Sequence, residues 1–432
     1  MQKPLSRYWL IIGTSALAIA GLFSLVLVIA RAPLTDTTVF TDWFHKALVV
    51  HVDLSVLVWF LSIACLMWSL AAQSSRQIFP LLEEAALVCF ALGTLAITFS
   101  PLDPQGAALM SNYIPVITSP LFFLGLGLLF CGVGLMLVRV ISTRLTDNWP
   151  LQTSVIIACM VIIAFIWSFH QMPDGEPIDQ DYYDTLFWGG GHVLQLLHVQ
   201  IVMIVWLWLT KALKPEFSIH KPHLKALFAV GLVASLLTPW GYMHYHADDQ
   251  HQFFTHIMIL AGGIAPTILA LWILPGLITF RHLARGDKRA LYSTLIMSFI
   301  LFIYGGVLGA LISGQNVVIP AHYHGSIVGV TLAFMGMAYL LLPQFGWRDV
   351  SSWKLAFWQP IVYGGGQFLH ITGLAISGGY GVLRKTPGGL EDVSAGVKAA
   401  MGLMGIGGLL AIIGGFMFVI VLALAVWPRP PA

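Results

Sequence analysis

Charge is what this chain of 432 residues has least of: Asp, Glu, Lys and Arg together make up 9% of it, against roughly 25% in a soluble globular domain. With 58% hydrophobic residues, that shortage excludes a soluble fold. The formal net charge is only +2 and no basic stretch is dense, which excludes nucleic acid as a partner. Cysteine is scarce as well. Cys65, Cys89, Cys131 and Cys159 lie inside apolar runs and form no CxxC or CxxCH pattern, so a disulfide framework and a covalently attached c-type haem are both excluded. Nothing reads as a polar domain or a low-complexity linker, and a single domain over 1–432 is expected.

What is present is a succession of long apolar runs. A bilayer core of about 30 Å takes roughly 20 apolar residues per helix. Twelve runs meet that length, at about 8–30, 44–71, 80–100, 115–141, 151–170, 187–210, 224–245, 252–280, 290–313, 322–343, 357–378 and 397–427. The expected fold is an all-α integral membrane protein, a bundle of about twelve transmembrane helices. The first run is too long for a cleavable signal, and no small-residue cleavage site precedes a polar domain. With a cytoplasmic N-terminus, inside segments hold sixteen Lys and Arg, and outside segments hold five: Arg31, Lys46, Arg384, Lys385 and Lys398. The bias of basic residues towards the cytoplasm therefore places both termini there. The outside loop 172–184 holds Asp174, Glu176, Asp179, Asp181 and Asp184 and no basic residue.

Of fifteen histidines, six fall at similar depth in the outer third of this map: His51, His192, His244, His246, His322 and His324. Ionisable groups inside a membrane are costly and usually functional, and imidazole is the commonest metal ligand. One such histidine is as often a helix–helix hydrogen-bond partner as a ligand. Six at one depth, drawn from four helices, point to metal or cofactor binding. His322 and His324 are two residues apart, so on a helix they point about 200° from one another. They cannot share one ion, but they can serve two cofactors on opposite sides.

Four segments place this pattern. They are FILFIYGGVLGALISG followed by PAHYHGSIVGVTLAFMGMAYLLLP over 299–343, WGGGHVLQ over 188–195, GYGVLRKTPGG over 379–389, and HVDLSVLVWFLS over 51–62. Together they resemble the catalytic subunits of the haem–copper oxidase superfamily, which comprises oxygen reductases and nitric oxide reductases. The resemblance implies two haems of b-type. His51 and His324 would be axial ligands of a low-spin haem, and His322 the proximal ligand of a high-spin haem whose other face stays open. His192 would bind a non-haem metal opposite that face, and Arg384 and Lys385 would pair with haem propionates, a charge-assisted contact. The family's two adjacent histidines at the end of the seventh span are missing. GYMHYHADDQHQFFTH stands there instead, with His244 and His246 straddling Tyr245 where the helix is expected to loosen. Those two are the expected further metal ligands; His251 and His256 are alternatives, and water or Asp248 can complete the site.

Absences choose the substrate. Oxygen reductases of the best-known types carry a tyrosine linked to a metal-binding histidine; on the sixth span its position is Leu196, and on the seventh it lies near Thr238. The sixth and eighth spans carry no carboxylate or lysine through their inner halves, so an inward proton path is not expected. Reduction of nitric oxide to N2O needs neither feature. The resemblance to nitric oxide reductases lacks one element, a glutamate beside the metal; Gln195, Gln315 and Asn316 are the nearest polar residues. A carboxylate-poor imidazole site leans towards copper, with iron as the alternative. The expected activity is therefore non-pumping nitric oxide reduction, with oxygen reduction as the alternative. A transporter with a histidine proton relay is a more distant one, weakened by the lack of internal repeats. Electrons must come from elsewhere, and the expected donor is a small membrane-anchored subunit bearing cytochrome c or a cupredoxin domain, docked at the acidic outer loop; direct quinol oxidation is an alternative with no motif behind it. The expected location is a bacterial-type inner membrane, in contact with its lipid, with the site towards the outer side. Asp53 is expected to bond a neighbouring helix or a haem substituent, and Glu83 and Glu84 to snorkel to water.

Overall fold

Within a bilayer core the backbone has no water to bond, so a chain this apolar satisfies itself as helices. The computed structural model describes residues 5–30, 38–73, 80–143, 145, 148–175, 177–279, 282, 285–313, 316–379 and 394–427. Among them run α1 (Ser6–Ala30), α2 (Thr38–Val52), α3 (Trp59–Gln73), α4 (Pro80–Phe99), α5 (Pro120–Thr143), α6 (Trp149–Gln171) and α7 (Gln180–Leu213). They continue as α8 (Lys221–Leu236), α9 (Thr238–His244), α10 (Ala247–Thr279), α11 (Arg289–Ala310), α12 (Val318–Leu341), α13 (Lys354–Gly379) and α14 (Ala395–Val426). A π-helical turn, Asp53–Val58, carries α2 into α3.

Eleven spans among the described residues are long and apolar enough to cross a membrane. The one expected span outside these eleven, the eleventh in chain order, is α13, 26 residues long and hence about 39 Å at 1.5 Å per residue. Gln359, Gln367, His370 and five glycines before its last residue dilute its apolar character. The expected seventh span is two helices, α8 and α9. Pro239 stands in the first turn of α9, where its missing N–H costs nothing, and it cannot extend the helix before it. At the far end of α9 Tyr245 is extended, with φ −124° and ψ 147°, so the helix does end at His244.

The chain divides into two compact units, Met1–Ile204 with Ile219–Leu269, and Val205–Ser218 with Ala270–Ala432. In the first, α4 lies along α5, α1 packs on α2 and α3, and α6 packs on α8. A buried polar knot ties three of these helices to α1. The Arg139 guanidinium of α5 meets the Glu83 carboxylate of α4 at 2.8 Å. Ser69 of α3 donates to the same carboxylate, as does the Trp9 indole of α1 at 3.4 Å. Glu83 thus does not snorkel: it is 1% exposed, because Arg139 reaches it inside the protein. Glu84 is exposed, as expected. The α4–α5 loop carries a short hairpin, Ala108–Leu109 paired antiparallel with Val116–Ile117.

In the second unit α11 packs on α12, and α13 packs on both and on α14. The Trp206 indole donates to Ser298 Oγ at 2.8 Å, and Ser298 donates on to the Gly329 carbonyl at 2.6 Å. Gly366 and Gly407 let the backbones of α13 and α14 touch, the small-residue contact that membrane helices use in place of a hydrophobic drive.

Candidate functional site

Five of the six singled-out histidines share one arrangement. Nδ1 lies against a backbone carbonyl in His51 (Ala20, 2.9 Å), His192 (Trp188, 2.7 Å), His244 (Trp240, 3.2 Å), His322 (Gly305, 2.7 Å) and His324 (Pro320, 3.1 Å). A carbonyl oxygen only accepts, so each Nδ1 carries a proton, and in the neutral imidazole that leaves Nε2 as the nitrogen with the lone pair. Metal-ligating imidazoles are oriented in this way by their surroundings. Three of the bonds go back one turn along the same helix, which any helical histidine can do. Those of His51 and His322 go to other helices, α1 and α11, and fix the rings from outside.

On α12 the two histidines address different neighbours. His322 bonds the Gly305 carbonyl, and a Cβ at Gly309 would overlap its ring. His324 lies beside His370 of α13, with ring centroids 5.6 Å apart. The two-residue spacing therefore sends them to opposite sides, α11 and α13.

His192 is 4% exposed and sits in an aromatic nest. Its ring packs on Trp188, and the other side of the nest is Tyr113 from the α4–α5 loop, with centroids 5.2 and 4.8 Å away. With the proton on Nδ1, Nε2 accepts a 2.8 Å hydrogen bond from the Tyr113 hydroxyl. Trp188 also stacks on His251 of α10 at 4.7 Å and donates its indole N–H to the His251 carbonyl at 3.0 Å. Enclosure of the Tyr113 phenol, with the Asp184 carboxylate as a smaller cause, holds its pKa well above the ordinary tyrosine range. The hydroxyl is therefore protonated and donates.

Two of the buried polar groups that make no hydrogen bond among the described residues lie close in the chain to the singled-out histidines. Both carboxylate oxygens of Asp53, 1% exposed at the start of the π-helical turn, lack one, and so does Nε2 of His198 on α7, whose ring lies edge-on to Phe60. Leaving a buried carboxylate unpaired is expensive, and each such group in a native protein needs a cause. Since Asp53 has no neighbouring-helix partner here, a polar substituent of a bound cofactor is the remaining expectation. These orphans and the carbonyl-anchored imidazoles fit haem and metal binding.

Not every expected ligand converges. His244 is exposed and stacks on Trp240 at 3.7 Å, and His246 is exposed in the extended link after α9. Among the described residues, no three His, Cys, Asp or Glu side chains are grouped to hold a metal ion. Arg384 and Lys385 lie outside the described residues, as does Gln315. Sequence reasoning missed Tyr113 and the role of Trp188. The run of three glycines before His192 was the available signal for Tyr113, because a Cβ at Gly191 would overlap its ring.

Comparison with known proteins gives the frame for these residues. The chain is 32% identical to an uncharacterised protein of Rickettsia prowazekii (strain Madrid E), over 97% of this chain and 95% of that one. An uncharacterised protein of Aquifex aeolicus (strain VF5) is 28% identical over 79% of this chain and 85% of its own length. The fold matches a structure described as a heme-copper terminal oxidase dimer with a TM-score of 0.81, at 17% identity, over 100% of this chain and 86% of that one. The profile of the cytochrome c and quinol oxidase polypeptide I family matches residues 5–420, so with the membrane helix bundle described above, this chain belongs to that family of haem–copper oxidoreductases.

Proposed function

We propose that this chain is the catalytic subunit of a membrane reductase that converts nitric oxide to N2O without pumping protons. It works as one membrane unit over residues 1–432, with both termini in the cytoplasm and the site towards the outer face of a bacterial-type inner membrane. His51 and His324 hold a low-spin b-type haem, His322 holds the high-spin b-type haem, and Arg384 and Lys385 pair with propionates. His192, His244 and His246 hold copper, with iron as the alternative and His251 as the substitute imidazole. Bound there, haem iron and the non-haem ion supply two reducible centres for a diatomic ligand. The reaction balances as two NO, two electrons and two protons giving N2O and water.

The observation that carries nitric oxide over oxygen is the lack of ionisable residues through the inner halves of α7, short of its last turn, and α10. From 257 to 279 α10 has no ionisable residue. On α7 the polar groups are occupied: Gln200 donates to Thr153 Oγ1 and to the Phe228 carbonyl, both at 2.8 Å, and Thr210 donates to the Trp206 carbonyl at 2.7 Å. Leu196 and Thr238, where the family's linked tyrosine would be, are buried. This supports proton supply from outside. Exposed Asp174, Asp179 and Asp181, with Asp248 and Asp249 at the start of α10, suit the basic face of a small membrane-anchored donor bearing cytochrome c or a cupredoxin domain. Asp184 is withdrawn from that surface, since it accepts from the Asn112 N–H.

Oxygen reduction is favoured by one observation, that a tyrosine hydroxyl does reach His192. Consumption assays on the purified complex separate the two. NO uptake without proton ejection from vesicles is expected; rapid, proton-pumping O2 turnover with negligible NO uptake overturns the reading. His192→Ala is expected to lose the non-haem metal while both haems stay. Metal analysis of His244→Ala, His246→Ala and His251→Ala then ranks the remaining imidazoles.

A further inference from the structure

We propose that Cys89 and Cys131 form a reactive dithiol at the bilayer midplane, which an uncharged, lipid-soluble two-electron oxidant closes to a disulfide between α4 and α5. The pair stands apart from the singled-out histidines and does not rest on the reading of them as ligands. No CxxC pattern announces it, because two helices make it and not one.

Packing brings the thiols together. The two side chains lie within hydrogen-bonding range of one another, and both cysteines are reduced. Glycines allow this approach. A Cβ at Gly93 would fall 2.6 Å from the Gly125 carbonyl oxygen and from the Leu129 nitrogen, and one at Gly132 would fall 2.8 Å from the Ala86 carbonyl oxygen. The backbones of α4 and α5 therefore touch on either side of Cys89 and Cys131. A disulfide asks for such closeness, roughly 4.4–6.8 Å between Cα atoms.

Position decides which reagents reach the pair. Cys89 is the tenth of the 20 residues of α4, and Cys131 is the twelfth of the 24 of α5. Both thus lie about 15 Å from either edge of a hydrocarbon core about 30 Å thick. Cys131 is exposed and Cys89 half-buried. Leu124 and Val138, two helical turns to either side of Cys131, are exposed on the same face. Side chains next to the thiols face the bundle instead: Phe90 meets Trp9 of α1 at 5.2 Å, and Phe130 meets Phe165 of α6 at 5.6 Å. The thiols therefore open onto lipid, where ions enter only at high cost. On oxidation two S–H bonds break and one S–S bond forms. Two electrons and two protons pass to the oxidant; a quinone takes them on its two ring oxygens and leaves as the quinol. The bond adds a covalent tie to the two helices that Glu83 and Arg139 already join.

The test treats the full chain in membranes with dithiodipyridine, an uncharged aromatic disulfide, and in parallel with glutathione disulfide, which is charged. The first thiol to attack dithiodipyridine displaces one thiopyridone, whose ring nitrogen takes the thiol proton. The second thiol displaces the other, which leaves the Cys89–Cys131 bond and two thiopyridones for each pair. Peptide mapping without reductant is expected to find the linked peptides, lighter by two hydrogens than the two separate ones. Glutathione disulfide should form the link on the order of a hundredfold more slowly. Cys131→Ser should halve the thiopyridone released by the pair and stop at a pyridyl adduct on Cys89, with the variant lacking both thiols supplying the background from Cys65 and Cys159. Separate pyridyl adducts on Cys89 and Cys131 in the wild type, or no reaction at either, overturn the proposal, and both are read on the wild type even if a variant does not accumulate. Equally fast linkage by glutathione disulfide overturns it too, since the pair would then be open to water.

Discussion

His322→Ala should remove the CO-sensitive haem signal and lower turnover on the order of 10³-fold or more, about 4 kcal/mol of barrier, while the low-spin haem spectrum persists. The reasoning is local. His322 is fixed against α11, by the Gly305 carbonyl that accepts from its Nδ1 and by the absence of a side chain at Gly309 beside its ring. His324, two residues on, is turned towards α13 and His370, so the haem proposed for it is expected to stay when His322 is removed. Gly309→Val, which pushes a branched side chain into the imidazole, should give a partial version of the same loss. A His322→Ala protein that still binds CO to a reduced haem contradicts the assignment of that histidine.

The second large effect concerns stability. Glu83 and Arg139 are 1% and 2% exposed and meet at 2.8 Å. Truncating one member of a buried pair strands the other charge, which costs about 3–5 kcal/mol. Arg139→Ala should therefore sharply lower the unfolding midpoint in detergent, since Ser69 and Trp9 would remain bonded to an uncompensated carboxylate. Replacing both partners, Glu83→Gln with Arg139→Met, should recover most of the loss, because a buried pair replaced by neutral groups of similar volume is often close to neutral in stability. A single variant no worse than the double would show that the pair is screened by water and carries little weight.

Much of the fold could be read from the chain because hydropathy decides it: apolar runs of spanning length have few alternatives to helices. The end of the seventh span at His244 was legible too, in the polar GYMHYHADDQ run, whereas its break before Pro239 was not read. The split of His322 and His324 towards different helices follows from a spacing of two on a helix. What spacing cannot carry is a contact between distant segments. Tyr113 reaches a histidine 79 residues away by way of a γ-turn that no motif announces. Glu83 looked like a residue at a helix end within reach of water, and only the packing of α5 on α4 shows that Arg139 takes that water's place. Asp53 is a third case. Its period places it away from His51, yet the π-helical turn that begins at Asp53 resets the helix register there, and its two unpaired oxygens emerge only from the structure.

The most direct test of the whole account is the dithionite-reduced spectrum of the purified complex, recorded before and after adding CO and set beside its metal content. Two haems per chain, one of them shifted by CO, with one non-haem metal ion, is the result expected if these imidazoles hold the cofactors assigned to them. A protein purified intact with no haem, or with haem that ignores CO, contradicts it.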